Sequence, residues 1–151
     1  REWLEKNLQN AEFTGFLDGE QLNEAYANMD VFVFPSDTDA FGNVVQEANA
    51  SGAPALVTNL GGPKFIVRPN ETGFIAENLD DFVKYSVELM ENSERLAQLK
   101  KTSREFALSR SWDAVFESVF DAYRAAYESH KTPVQPEQIE DIELKSIDRN
   151  P

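Results

Sequence analysis

The residues whose types and spacing can do chemistry lie between Pro35 and Ala48, in Pro35-Ser36-Asp37-Thr38-Asp39-Ala40-Phe41-Gly42-Asn43-Val44-Val45-Gln46-Glu47-Ala48. The run before them, Val31-Phe32-Val33-Phe34, is apolar throughout and closed by Pro35, as a strand covered on both faces should be. Asn43 to Ala50 reads as a helix, stopped by Ser51-Gly52. A helix that starts near Gly42 aims unpaired N–H groups at the loop and makes an anion site from backbone alone. Gly42 carries no Cβ, so a bound group can come close to the chain there. Asp39 stands at the mouth of this helix and Glu47 further along it, a span of ~12 Å if the whole interval is helical. A carboxylate that accepts two hydroxyls suits a ribose, and a second carboxylate suits polar groups at the far end of an extended ligand. Sugar, two phosphates and ribose, in that order, have this layout.

Charge placement supports a backbone site. The chain has 151 residues, 14 Lys+Arg against 27 Asp+Glu, and a formal net charge of −13. From Asn7 to Pro63 there is no Lys or Arg at all, while Glu12, Asp18, Glu20, Glu24, Asp30, Asp37, Asp39 and Glu47 fall in that stretch. A phosphate bound there relies on N–H groups or on cations from elsewhere, with Lys64 and Arg68 the nearest. An acidic chain of this kind does not suit nucleic acid, which needs Lys and Arg gathered on one face. There is no cysteine, which excludes disulfides, thiolate metal sites and cysteine nucleophiles. His130 is the single histidine and stands where helical periodicity gives out.

The elements that position this loop alternate. Glu12 to Phe16 reads as a short strand, and Asp18 with Gln21 reads as a capping box for a helix whose face is Leu22, Ala25, Tyr26 and Met29. After the strand at Val31–Phe34 and the helix at Asn43–Ala50 comes a strand over Ala53–Thr58, with Pro54 at its entrance. Gly61-Gly62-Pro63 is a turn into Lys64–Val67; Asn70–Gly73 is another, and Phe74-Ile75-Ala76 is a last strand. Leu79, Phe82, Val83, Ser86, Val87 and Met90 predict one helical face. Ser93 caps a helix through Leu96, Leu99 and Phe106. Ser111 caps another, whose stripe of Trp112, Phe116, Phe120, Tyr123 and Tyr127 we read as core. Strands alternating with helices predict an α/β fold: a Rossmann-like parallel sheet with helices on both faces, followed by C-terminal helices. Four strands are fewer than the usual six or so, and the chain opens on Arg1 without a methionine. The expectation is therefore a fragment whose first strand or strands lie upstream. Residues 1–130 read as the domain and residues 131–151, with prolines and charges but no period, as an acidic tail or linker.

The same motifs carry a resemblance. Phe13-Thr14-Gly15-Phe16-Leu17, Ala25-Tyr26-Ala27, Asp30 to Ser36, Phe41 to Ala48, Ala50 to Pro54, Gly61-Gly62 and Thr72-Gly73 together resemble the C-terminal domain of family 4 glycosyltransferases of GT-B architecture. The lipid-acceptor and mannosyl-type branch is the most similar. This likeness implies transfer of a glycosyl group from a nucleotide-diphosphate sugar with retention of configuration, with no metal and no cofactor besides the donor substrate. It implies that Glu47 holds the ribose hydroxyls and that Asp39 meets the donor sugar as the catalytic carboxylate. Backbone around Phe41, Gly42, Asn43 and Val44, with Gly61, Gly62 and Lys64, would bind the donor. The family's first motif carboxylate is Glu; Asp39 is shorter by one methylene, ~1.5 Å, and Lys64-Phe65 stands where many relatives place Glu. The implied partners are a nucleotide sugar, an upstream acceptor-binding domain of the same protein, and an acceptor that is lipid-linked or a saccharide. The implied location is the cytoplasm, including the inner membrane face.

Other readings stay open on the residues alone. Asp37-Thr38-Asp39 after an apolar strand could ligate Mg²⁺ or Mn²⁺ in a metal-dependent transferase. The pair could also serve a haloacid-dehalogenase-like phosphatase, with Asp80-Asp81 as the metal pair. Pro35-Ser36 interrupts the spacing that either needs. A non-catalytic nucleotide-sugar-binding or interaction domain is the third reading.

Overall fold

Ala55-Leu56-Val57 is apolar without a break. In the computed structural model of the protein, which describes residues 1–131, these residues are the middle strand of a three-stranded parallel sheet. The strands are β1 (Phe32–Phe34), β2 (Ala55–Thr58) and β3 (Gly73–Ala76), in the order β1-β2-β3. Phe32 lies opposite Ala55, and Ala55 in turn opposite Gly73. β2 is buried on both sides because its alternate residues enter different cores. Leu56 packs with Phe74, Ala76, Leu89 and Leu99. Ala55 and Val57 face Val45 and Val67 instead.

Helices cover both faces. α3 (Asn43–Ala50) supplies Val45 on one side, while α4 (Leu79–Glu91) and α5 (Ser93–Ser109) supply Leu89 and Leu99 on the other. α2 (Gly19–Asn28) lies on α3 through Tyr26, Ala48 and Ala53, with Leu22, Met29 and Phe32 around them. A short helix α1 (Glu2–Asn7) precedes these, and Pro63–Phe65 forms one 3₁₀ turn after β2. Two cations of α5 meet the carboxyl ends of earlier helices: Lys100 Nζ donates to the Met29 carbonyl at 3.2 Å, and the Arg104 guanidinium donates to the Ala50 carbonyl. Positive charge at these ends opposes the negative pole of each helix. The structure divides into a unit at Arg1–Ser109 and a second beginning at Arg110, which contains α6 (Trp112–Lys131).

Several sequence expectations change here. Glu12–Phe16 forms no strand; the segment is irregular and Phe16 is 91% exposed. A strand exists only as part of a ladder, and no described strand pairs with these residues. Asp18 does stand at the start of α2, but its side chain accepts no hydrogen bond, so the Asp18–Gln21 box is not made. Side-chain capping occurs instead at Asn78, which accepts from the Asp81 N–H at 3.0 Å, while Asp81 accepts from the Glu77 N–H. Asn92, not Ser93, caps α5 by accepting from the Arg95 N–H. Lys64–Val67 enters through the 3₁₀ turn.

The larger changes concern which faces are buried. α4 turns Phe82, Tyr85 and Leu89 inward, and the Tyr85 ring stacks on Phe74 at 4.5 Å. Leu79, Val83 and Met90, which we expected inside, are 76%, 58% and 83% exposed. The helix carries two apolar stripes, and only one can meet the sheet. α6 has the aromatic stripe but no buried residue, so its aromatics are not core among the described residues. Ser111 does cap it, accepting from the Ala114 N–H at 3.2 Å. The expected tail lies outside the described residues apart from Lys131.

Asn49 is 1% exposed on α3, and neither its Oδ1 nor its Nδ2 finds a partner among the described residues. A buried amide without hydrogen bonds costs ~1–3 kcal/mol. Replacing it by Leu, whose branched side chain has the same number of heavy atoms, removes that cost, so Asn49→Leu should raise the melting temperature by roughly 2–4 °C per kcal/mol gained. Differential scanning calorimetry checks this, and an unchanged or lower midpoint contradicts it.

Candidate functional site

The loop between β1 and α3 is held from both ends. Thr58, the last residue of β2, donates its hydroxyl to the Ser36 carbonyl at 2.9 Å. Further on, the Gly62 N–H donates to the Asp39 carbonyl at 2.8 Å. The loops after β1 and β2 therefore lie against each other beyond the carboxyl ends of the strands, where parallel sheets bind ligands. Gly42 precedes α3 with φ 92°, a left-handed conformation that Gly adopts without penalty. A Cβ at Gly62 would stand 2.1 Å from the Ala40 carbonyl oxygen. Only Gly allows this approach. Asp39, Phe41, Gly42, Asn43, Val44, Gly61 and Gly62 are brought into one neighbourhood as a result.

Within it the amides divide into two groups. The Phe41 N–H donates to Asp39 Oδ1 at 2.9 Å, and the Gly62 N–H serves the Asp39 carbonyl. Those two amides hold the loop. The N–H groups of Asn43 and Val44 open α3 and have no acceptor among the described residues, as the first amides of a helix should not. They add the positive pole of the helix in a stretch without Lys or Arg. The helix starts at Asn43, so the interval from Asp39 to Glu47 is helical only in its second half. The helical rise from Asn43 to Glu47 is ~6 Å.

Glu47 lies further along α3, and its Oε2 accepts a hydrogen bond from the Tyr26 hydroxyl at 3.1 Å. Both side chains line a cleft of about 370 Å³ between α2 and α3, with Leu22, Asn23 and Ser51. Asp39 is not part of that lining. Burial raises the Tyr26 phenol to about 12, helped by the hydrogen bond to Glu47 and by its negative charge. A second cleft, about 300 Å³, lies at the carboxyl ends of β1, β2 and β3 and includes Asp37, Thr58 and Asn59.

The cations are placed as follows. Lys64 Nζ donates to the Asn59 carbonyl at 3.1 Å, which puts the ammonium at the carboxyl end of β2. Arg68 is at the wrong end of the sheet: it lies in the turn before β3, over the Phe106 ring at 4.2 Å and 3.7 Å from Glu71. It is therefore not a local substitute for a phosphate cation. Asp81 accepts from the Glu77 N–H at the start of α4, and among the described residues no three His, Asp or Glu side chains are grouped as metal ligands. Sequence reasoning missed the hydroxyl of Tyr26. Helical spacing marked the residue only as part of a buried face, and the one available signal was that a buried phenol needs a partner.

A parallel sheet with helices on both faces, with a loop beyond its carboxyl edge that leads into a helix N-terminus, defines the doubly wound class of α/β domain. The sequence pattern described as "Glycosyl transferases group 1" matches residues 2–106. The chain belongs to this family, and its fold is that of the C-terminal domain of GT-B glycosyltransferases. A GDP-mannose-dependent alpha-mannosyltransferase of Mycobacterium tuberculosis is 36% identical over 128 residues, covering 81% of this chain and 32% of that protein. Sucrose-phosphate synthase of Thermosynechococcus elongatus superposes with a TM-score of 0.69 at 27% identity, over 85% of this chain and 33% of that one. Anabaena HepE, solved in complex with UDP-glucose, superposes with a TM-score of 0.65 at 18% identity, covering 82% of this chain and 35% of that one. The chain thus spans about a third of the length of the curated mannosyltransferase relatives it matches. Among the described residues no helix is long and apolar enough to cross a membrane.

Proposed function

We propose that this chain is the donor-binding half of a retaining glycosyltransferase that uses a nucleotide-diphosphate sugar. One observation carries this: the free Asn43 and Val44 amides open α3 between Asp39 and Glu47, in a stretch of sequence without Lys or Arg. In this reading the diphosphate sits at the helix N-terminus, close to Gly61-Gly62. Glu47 accepts the ribose hydroxyls, and Asp39 meets the sugar from a loop that the Phe41 and Gly62 amides hold in place. Departure of the diphosphate leaves positive character on the sugar and builds negative charge on the phosphate. Amides already aimed at that charge stabilise the transition state more than the ground state.

Lys64 stands at the same end of the sheet and is the local cation nearest this charge. Further cations and the acceptor site come from another domain of the protein, which works in the cytoplasm on a lipid-linked or saccharide acceptor. The donor sugar is of the hexosyl or mannosyl type. The name of the mycobacterial relative supports GDP-mannose as the first donor to test.

The test is donor turnover by the full-length protein across GDP-, UDP- and ADP-sugars, with and without EDTA, the product anomer being read by NMR. Turnover with one of these donors, indifferent to EDTA and with retained configuration, is expected. Loss on chelation would favour the Asp37/Asp39 metal reading instead. The 151 residues alone should bind nucleotide sugars more weakly than ~10 µM, since the cations that tighten diphosphate binding lie elsewhere.

A further inference from the structure

Tyr26 sits on α2 and Glu47 on α3, far apart in sequence, yet the phenol donates to Glu47 Oε2 at 3.1 Å. The two groups differ in freedom. Tyr26 is 5% exposed, and its ring is pinned among Ala48, Ala53, Leu22 and Met29, with the Phe32 ring tilted against it at 5.9 Å. Glu47 is exposed and has rotatable bonds of its own. In such a pair the fixed partner sets where the mobile one points.

We propose that Tyr26 is a positioning residue for donor binding: its buried hydroxyl holds the Glu47 carboxylate in the orientation that receives the ribose diol. The proposal rests on the reading of Glu47 as ribose acceptor.

Three features support it. Tyr26 takes up one oxygen of Glu47 and leaves Oε1 for a ligand, and an ionised carboxylate can accept at both oxygens. Both side chains open on the same cleft of about 370 Å³, so the held carboxylate faces accessible space rather than packed core. The phenol also keeps its proton throughout the working range, because burial and Glu47 raise its ionisation to about 12. Without it the carboxylate samples several rotamers and must be ordered when the ligand arrives.

The experiment uses the full-length protein and whichever of GDP, UDP or ADP binds it most tightly. Calorimetry compares that nucleotide with its 2′-deoxy form for wild type, Tyr26→Phe, Glu47→Ala and the double variant. Tyr26→Phe keeps the ring and hence the packing. It should weaken the ribonucleotide about fivefold and the 2′-deoxy form less than twofold, which narrows the ratio between them. The KM for the sugar donor should rise similarly with kcat within about twofold. The double variant should bind no more weakly than Glu47→Ala alone, because Tyr26 acts only through the Glu47 side chain.

A role in packing alone would weaken both nucleotides equally and add to the Glu47→Ala loss; either result overturns the proposal. If Glu47→Ala weakens the ribonucleotide while Tyr26→Phe leaves it unchanged, the positioning role fails and the ribose reading stands. If Glu47→Ala leaves binding at the wild-type level, or wild type shows no preference for the 2′-hydroxyl, the ribose reading itself fails and takes this proposal with it.

Discussion

Gly62→Ala should destabilise the domain by about 2–3 kcal/mol and weaken nucleotide binding at least about tenfold. The reason is contact alone. Gly62 has φ −79° and ψ −33°, which alanine adopts readily, so no backbone strain enters. The added Cβ would lie 2.1 Å from the Ala40 oxygen, 2.5 Å from its carbonyl carbon and 2.7 Å from the Phe41 Cα. All three are backbone atoms, and none can rotate aside. The loops after β1 and β2 must separate instead. That breaks the bond from the Gly62 N–H to the Asp39 carbonyl and frees the segment that carries Asp39 and leads into α3. Urea denaturation should show a lower midpoint with an unchanged slope, since the loss lies in the folded state. A change below ~0.5 kcal/mol would mean that the two loops part at no cost, and that their packing does not hold the site.

Glu47→Ala should weaken nucleotide affinity by ~1–3 kcal/mol, or roughly 5- to 150-fold in Kd. In the proposed reading the ribose hydroxyls lose their acceptor, while the α3 amides and the loop remain. Alanine favours the helix, so folding is not at issue at an exposed position. The variant also leaves the Tyr26 hydroxyl without Glu47, which makes Glu47→Gln the better control because its side-chain oxygen still accepts that bond. Calorimetry on the full-length protein measures both. Equal affinity for wild type and Glu47→Ala would remove this carboxylate from the donor site.

The two variants probe parts of the site that differed in how readable they were. α3 was legible because its beginning and end are local events: a glycine that permits φ 92° before Asn43, and Ser51-Gly52 after Ala50. β2 was legible because a short apolar run between turn residues has few alternatives. The α4 face was not. Apolar residues on that helix make two stripes, and Phe82, Tyr85 and Leu89 won because their shapes fit against Phe74 and Leu99. Glu12–Phe16 has strand composition, but a strand requires a neighbour that composition does not contain.

The chain's local chemistry settles where α3 begins, which amides it leaves unpaired, and that no Lys or Arg stands near them before Lys64. Those properties depend on residues within a turn or two of one another, where backbone preference and charge act directly. Three others depend on folding: the seating of Gly62 on Ala40, the tether from Tyr26 to Glu47, and the removal of Arg68 to the opposite end of the sheet. Each joins segments far apart in the chain. Their meeting is decided by which apolar faces the parallel sheet can bury together, and no short window of residues encodes that outcome.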